Sequence, residues 1–201
     1  MTNLPPAMII AGGAARRMGG SDKALMPLGQ TRVIDHLLAA LRPQAGPLAI
    51  NANGDQARWL GFGLAVRADP VPDRPGPLAG ILAAMLWAGE IGAERVITVA
   101  GDTPFLPQDF VVRLDRAGPC AIAETRAADG TRRAHPVCGL WPVSAAPALR
   151  AQLDRGERRV MRFVEQVAAR PVLFDEGKTP AFFNINTPED LVEANRLLNA
   201  P

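Results

Sequence analysis

The chain has 201 residues, 48% of them hydrophobic and 21% charged, the make-up of one ordinary globular domain and not of a disordered or fibrous chain. Its formal charge of +2 is too small to hold nucleic acid or a membrane surface by bulk electrostatics. No run approaches the ~18 uninterrupted apolar residues that a membrane-spanning helix needs.

The opening MTNLPPA has no basic segment leading into an apolar core, so a cytoplasmic protein is expected. Cys120 and Cys138, without metal-type spacing, are then read as reduced, buried thiols. Met8 to Ala11 is a short, continuously apolar run, which predicts a strand buried on both faces over Ala7 to Ala11. It stops at Gly12-Gly13 and opens into a loop rich in glycine and arginine that ends at Asp22-Lys23. Only Lys23 and Lys178 are lysines, so a chain that otherwise uses arginine has placed a lysine in this loop.

Val33, Leu37, Leu38 and Leu41 recur at helical spacing up to Pro43. A second strand is predicted over Pro47 to Asn51, a short helix over Gln56 to Leu60, and a third strand over Leu64 to Val66, with Asp69 beyond its end. The proline-dense stretch from Asp69 to Pro77 is a loop. Leu78 to Ala88 is apolar on nearly every face, which predicts a buried helix. Arg95 to Ala100 is the next buried strand, ending at Gly101-Asp102, and Pro107 to Ala117 reads as a helix with proline at its start and Gly118 past its end.

Strand and helix alternate to this point, which predicts a doubly wound, mostly parallel α/β sheet in three layers. The second half breaks the alternation. Cys120–Thr125 and His135–Trp141 read as an antiparallel pair turning at Asp129-Gly130. Helices over 145–153 and 159–168, a strand over 172–174 and a last helix to Leu198 follow, the last opening on the capping pattern Thr187-Pro188-Glu189-Asp190. No repeat or linker divides residues 1–201, so a single domain is expected.

Three polar clusters fall at predicted strand C-termini: the glycine loop, Asn51 with Asp69, and Asp102. In an open parallel sheet those ends meet in one crevice, where ligands bind. The amides of the Gly12–Lys23 loop can approach phosphate oxygens, with Arg16, Arg17 and Lys23 adding positive charge; by itself the loop reads equally as a packing turn. Asp102 follows a buried strand, where a carboxylate needs a positive partner, and Mg²⁺ is favoured over a helix-capping role. Asp69 reads either as a ligand or as a cap of the proline loop. His135 reads as structural. The arginines Arg155, Arg158, Arg159 and Arg162 form either a solvated face or a grip on an anionic substrate. Two phosphate motifs fail: GxGxxG is absent, and Gly177-Lys178-Thr179 has Val172 where a Walker loop needs glycine.

Ile10-Ala11-Gly12-Gly13, Arg17-Met18-Gly19 and Asp22-Lys23 resemble the AGGxxxRMGxxDK signature of nucleotidyltransferases with a Rossmann-like fold. Further landmarks are Asn51-Ala52-Asn53, Asp69, Gly76-Pro77-Leu78-Ala79-Gly80, Asp102-Thr103-Pro104, Gly156 to Met161, and Phe183 to Asp190. Together they are similar to the MobA family of molybdenum cofactor guanylyltransferases over nearly the whole chain. Ile10 stands where leucine is usual, and Ala100-Gly101 where proline and cysteine are common.

The resemblance implies Mg²⁺-dependent transfer of GMP from GTP to the molybdenum-bound pterin, with release of pyrophosphate. By motif, Ile10, Ala11, Gly12, Gly13 and Gly80 would line the nucleotide. Arg17 and Lys23 would hold its phosphates, Asn51 and Asp69 would contact GTP, and Asp102 would hold Mg²⁺. Arg158, Arg159, Asn184 and Asn186 would face the pterin, so that residues 1–118 serve GTP and 119–201 the second substrate. Contacts with other molybdenum-cofactor synthesis proteins and molybdoenzyme chaperones are implied by the family alone, and a monomer is expected. Alternatives are a cytidylyltransferase of the same cofactor, a sugar-phosphate nucleotidyltransferase, and a GTP-binding partner protein without turnover.

Overall fold

A computed structural model describes residues 4–12, 22–72, 76–127, 129–175 and 179–199. In chain order the first half runs β1 (Ala7–Ile10), β2 (Pro27–Leu28), β3 (Thr31–Arg32), α1 (Val33–Leu41), β4 (Leu48–Asn51), a 3₁₀ turn (Gln56–Phe62), β5 (Ala65–Arg67), α2 (Pro77–Glu90), β6 (Arg95–Ala100) and α3 (Phe110–Ala117). The second half runs β7 (Ala121–Arg126), β8 (Arg132–Pro142), α4 (Ala146–Asp154), α5 (Val160–Gln166), β9 (Arg170–Phe174) and α6 (Pro188–Leu198).

Seven strands form one sheet in the order β5-β4-β1-β6-β8-β7-β9. All neighbours are parallel except the two pairs made by β8, which runs antiparallel between β6 and β7. The expected antiparallel element is therefore present, as one inserted strand inside an otherwise parallel sheet. Chain order reverses between β1 and β6: from β1 the chain steps outward to β4 and β5, then returns to β6 on the other side. A crevice at the strand C-termini is expected at such a switch.

Strand side chains alternate between two cores, which makes the three layers. Ile9, Ile50, Ile97 and Val99 pack under α1 and α3, together with Phe110, Phe174 and Phe182. Met8, Ala49 and Val96 pack under α2, α4 and α5 around Trp141 and Phe163. Helix α2 is buried along most of its length, as its continuous apolar sequence predicts. A third, small cluster of Leu28, Val33, Ile185 and Ala194 joins α6 to the β2–β3 ribbon.

Helix α3 starts at Phe110, three residues later than the proline signal predicts. Pro107 instead lies in the preceding turn, and the helix N-terminus is satisfied from another element. Gln44 Oε1 accepts from Val111 N at 3.0 Å, while Gln44 Nε2 donates to Pro107 O at 3.0 Å. A side chain 63 residues away in sequence thus fixes the helix start. The capping box at Thr187 and Asp190 forms as read, with Asp190 N donating to Thr187 Oγ1 and Thr187 N to Asp190 Oδ2. Both cysteines are buried and free, and burial pushes their thiols up to about 12, so they stay protonated.

Candidate active site

A cavity of about 290 Å³ opens at the C-terminal ends of β1, β4, β5 and β6. The glycine-loop strand contributes Ile10, Ala11 and Gly12, β4 contributes Asn51, the segment after β5 contributes Asp69, and the segment after β6 contributes Gly101 and Asp102. Lys23 closes one side and Asn184 another. Three segments that the sequence placed at separate strand ends therefore share one wall-to-wall space.

Asp69 is held by a closed amide network. Asn51 Nδ2 donates to Asp69 Oδ1 at 2.9 Å and also to Arg67 O at 3.1 Å. Asn53 Nδ2 donates to Asp69 Oδ2 at 2.7 Å, and Asp69 N donates back to Asn53 Oδ1 at 2.9 Å. The carboxylate is thereby fixed at the cavity wall as a rigid acceptor. Asn51 Oδ1 is buried with no partner among the described residues, an acceptor facing the close approach of Gly12 and Gly80. A Cβ on Gly12 would lie 3.0 Å from Asn53 Nδ2 and 3.1 Å from Asn51 Oδ1. Glycine there lets the backbone reach both amides.

Across the cavity, Lys23 Nζ lies 3.2 Å from Asp102 Oδ2 and 2.6 Å from Asn186 Oδ1. Lys23 starts a 3₁₀ turn just after Asp22, so its ammonium is presented from a short, ordered element. Burial pushes the Asp102 carboxyl above its ordinary range, and the Lys23 charge beside it pulls it partly back. The C-terminal segment is tied to the same place, since Ile185 N donates to Asp102 O at 2.9 Å. That bond lies between Asn184 and Asn186 in the chain; Asn184 lines the cavity and Asn186 meets Lys23 at its side.

Gly80 lies behind the cavity and not on its wall. A Cβ there would come 2.5 Å from Ile10 Cγ2 and 2.6 Å from Asn51 Oδ1, so its place is a close approach of α2 to β1 and β4. Arg158 and Arg159 do not line the cavity either. Arg159 is 81% exposed and pairs with Glu157 at 3.2 Å. Helix α4, which precedes them, is tied to the segment after β5: Arg150 Nη1 donates to Pro70 O at 3.0 Å. A second hollow, about 470 Å³, lies between α4 and α5 among Gln152, Arg155, Glu157, Arg162, Glu165 and Gln166. It is larger, but its charges are of both signs and it holds none of the strand-end residues. Gly13, Arg16, Arg17 and Lys178 lie outside the described residues.

His135 is structural. Its Nε2 lies 2.9 Å from Thr125 Oγ1 on the neighbouring strand, and its ring stacks on Phe182 with centroids 4.9 Å apart. Burial first, and the Arg133 charge second, push its pKa down to about 4, so the ring is neutral. Reading the sequence for site residues passes over Asn53, whose amide holds half of the Asp69 carboxylate. Its signal is the two-residue spacing from Asn51 at a strand end, which returns two like side chains to one face. Gly101 is passed over too: its N–H donates to Ile10 O at 2.9 Å and a Cβ would meet that oxygen at 2.9 Å. A side chain there would have to push back the β1 backbone, so glycine suits the position before Asp102 here.

Among the described residues no three His, Cys, Asp or Glu side chains gather as a metal cage. Two carboxylates line the cavity, and Asp69 has both oxygens taken up by the Asn51 and Asn53 amides, which leaves Asp102 as the carboxylate that fits an ion taking most of its ligands from phosphates and water, as Mg²⁺ does, and not one caged by protein.

The MobA-like NTP transferase domain model matches residues 7–170. The chain is 48% identical over 194 residues to a molybdenum cofactor guanylyltransferase from Cereibacter sphaeroides, covering 95% of each. It is 43% identical over 199 residues to another from Bradyrhizobium sp., covering 98% of this chain and 94% of that one. In fold it is similar to the crystal structure of molybdopterin-guanine dinucleotide biosynthesis protein A from Archaeoglobus fulgidus, with a TM-score of 0.71 at 22% identity over 96% of this chain and 98% of that one. A strand-end cavity at the sheet's switch point, faced by Lys23, Asp69 and Asp102, thus belongs to a chain matched along most of its length, and the chain is a member of the MobA-like NTP transferase family.

Proposed function

We propose that the protein transfers GMP from GTP to the molybdenum–molybdopterin cofactor, forming the guanine dinucleotide cofactor and pyrophosphate. The observation that carries this reading is the Lys23–Asp102–Asn186 cluster facing the Asn51–Asp69–Asn53 network across one cavity, in a chain nearly half identical to molybdenum cofactor guanylyltransferases.

The chemistry asks little of the protein beyond placement. A terminal phosphate oxygen of the pterin is already a nucleophile at neutral pH, so attack on the α-phosphate of GTP requires no general base. What remains is to align two polyanions and neutralise them, which is positioning plus electrostatics. The amide-locked Asp69 and Asn51 orient the nucleoside end. Lys23 neutralises charge at the phosphates and follows it into the leaving pyrophosphate. Asp102 would hold Mg²⁺, which supplies charge neutralisation on the phosphate oxygens. On their motif positions, Gly13 is assigned to the nucleotide and Arg17 to its phosphates. Asn184, Asn186, Arg158 and Arg159 are assigned to the pterin substrate, so that residues 119–201 serve mainly the second substrate and 1–118 mainly GTP.

The test offers each of the four nucleoside triphosphates with Mg²⁺ and molybdenum cofactor and measures pyrophosphate. Release with GTP is expected. Release with CTP in its place would make the protein a cytidylyltransferase, and GTP binding without any release would make it a partner protein.

A further inference from the structure

The two walls of the cavity are joined behind the site by one guanidinium. Arg58 sits on the 3₁₀ turn Gln56–Phe62, which is pinned by buried Trp59 and closed by Gly63 in the left-handed conformation. Its Nη2 donates to Asn53 O at 2.7 Å, and its Nε lies 2.9 Å from Asp22 Oδ2. Asn53 is the residue whose side chain fixes Asp69. Asp22 precedes Lys23 and accepts Leu25 N at 2.9 Å through its carbonyl, opening the turn that presents the ammonium. The planar fork of arginine can hold two acceptors at a set angle, which a point charge cannot.

We propose that Arg58 is a positioning residue that couples the Asp69 wall to the Lys23 wall, by bridging the Asn53 carbonyl and the Asp22 carboxylate, and so sets the cavity for GTP before it arrives. No atom of Arg58 is needed in contact with substrate. Its effect is preorganisation: two loops from different strand ends keep one spacing, and the nucleotide does not have to impose it. The proposal rests on the guanylyl-transfer reading for its activity readouts, but direct GTP binding reads it separately.

Arg58→Met keeps the apolar stem beside Trp59 and removes the fork. It should raise the Kd and KM for GTP about tenfold, the scale of one charge-assisted contact at a part-exposed site. The KM for molybdenum cofactor should stay unchanged, and the thermal midpoint should hold within a few degrees. Asp22→Asn should reproduce the loss, and the double variant should be no worse than either single one, because both break the same bridge. Arg58→Lys should recover only part.

A Kd for GTP within twofold of wild type in Arg58→Met would overturn the proposal, as would losses that multiply in the double variant. Full recovery by Arg58→Lys would show that charge alone suffices and would overturn the bridging role. A fall in thermal midpoint with GTP affinity intact would reduce Arg58 to a structural residue. Wild-type protein that binds GTP yet releases no pyrophosphate with molybdenum cofactor would defeat the function reading, while leaving the comparison of Kd values to decide on Arg58.

Discussion

Replacing Lys23 by alanine removes the one ammonium described at the cavity. At 3.2 Å from Asp102 and an effective dielectric of about 20, the pair attracts by about 5 kcal/mol before screening. Both side chains are about a fifth exposed, so water takes a large part of that in the resting protein. In the proposed reaction the same ammonium would face phosphate oxygens whose charge grows as pyrophosphate leaves. Loss of one such transition-state contact costs about 3–4 kcal/mol, or ~10²–10³ in turnover. Stability should change much less, because a part-exposed ion pair contributes under about 1 kcal/mol, and that moves the midpoint of a domain this size by only about 2–4 °C. The assay is pyrophosphate release under saturating GTP, Mg²⁺ and molybdenum cofactor, with a melting curve alongside. Turnover within fivefold of wild type in a folded Lys23→Ala protein would refute the role given to this residue.

Asp102→Asn keeps the shape of the side chain and can still bond Lys23, but should lose activity at the Mg²⁺ concentration that serves wild type; wild-type turnover with an unchanged Mg²⁺ requirement would place the ion elsewhere. Gly80→Ala should destabilise the fold by about 1–3 kcal/mol, the usual cost of overpacking, since its Cβ would meet both Ile10 and Asn51 at about 2.5 Å; an unchanged unfolding midpoint in denaturant would contradict the close approach. His135 gives a pH signature. Its folded pKa of about 4 lies below the ordinary ~6.5, so the unfolded chain takes up a proton first as pH falls. The contribution is complete above about pH 6.5 and is lost on the way down to about pH 4, by about 1 kcal/mol after discounting for its partial exposure. His135→Gln should flatten stability across that window, and an unaltered pH profile would argue against a buried neutral ring.

Local chemistry carried much of this protein into its sequence. Continuous apolar runs fixed β1, β4 and β6 because strands covered on both faces have no polar side to show. The unbroken apolar stretch of α2 could only be a buried helix, and the hydroxyl, proline and acid of 187–190 could only open one. The motif residues Gly12, Lys23, Asn51, Asp69 and Asp102 were legible because each follows the end of a strand or sits in the loop that leaves one. Long-range packing decided the rest. The start of α3 followed Gln44 and not Pro107, since an amide from another segment satisfies the helix end. Strand β8 was legible as a strand, but its insertion between β6 and β7 depends on pairing partners more than 40 residues from Arg95 in the chain. The place of Gly80 behind Ile10, the amide lock on Asp69 and the Arg58 bridge have the same origin: each is a contact between segments whose separation in sequence carries no sign of their distance in space.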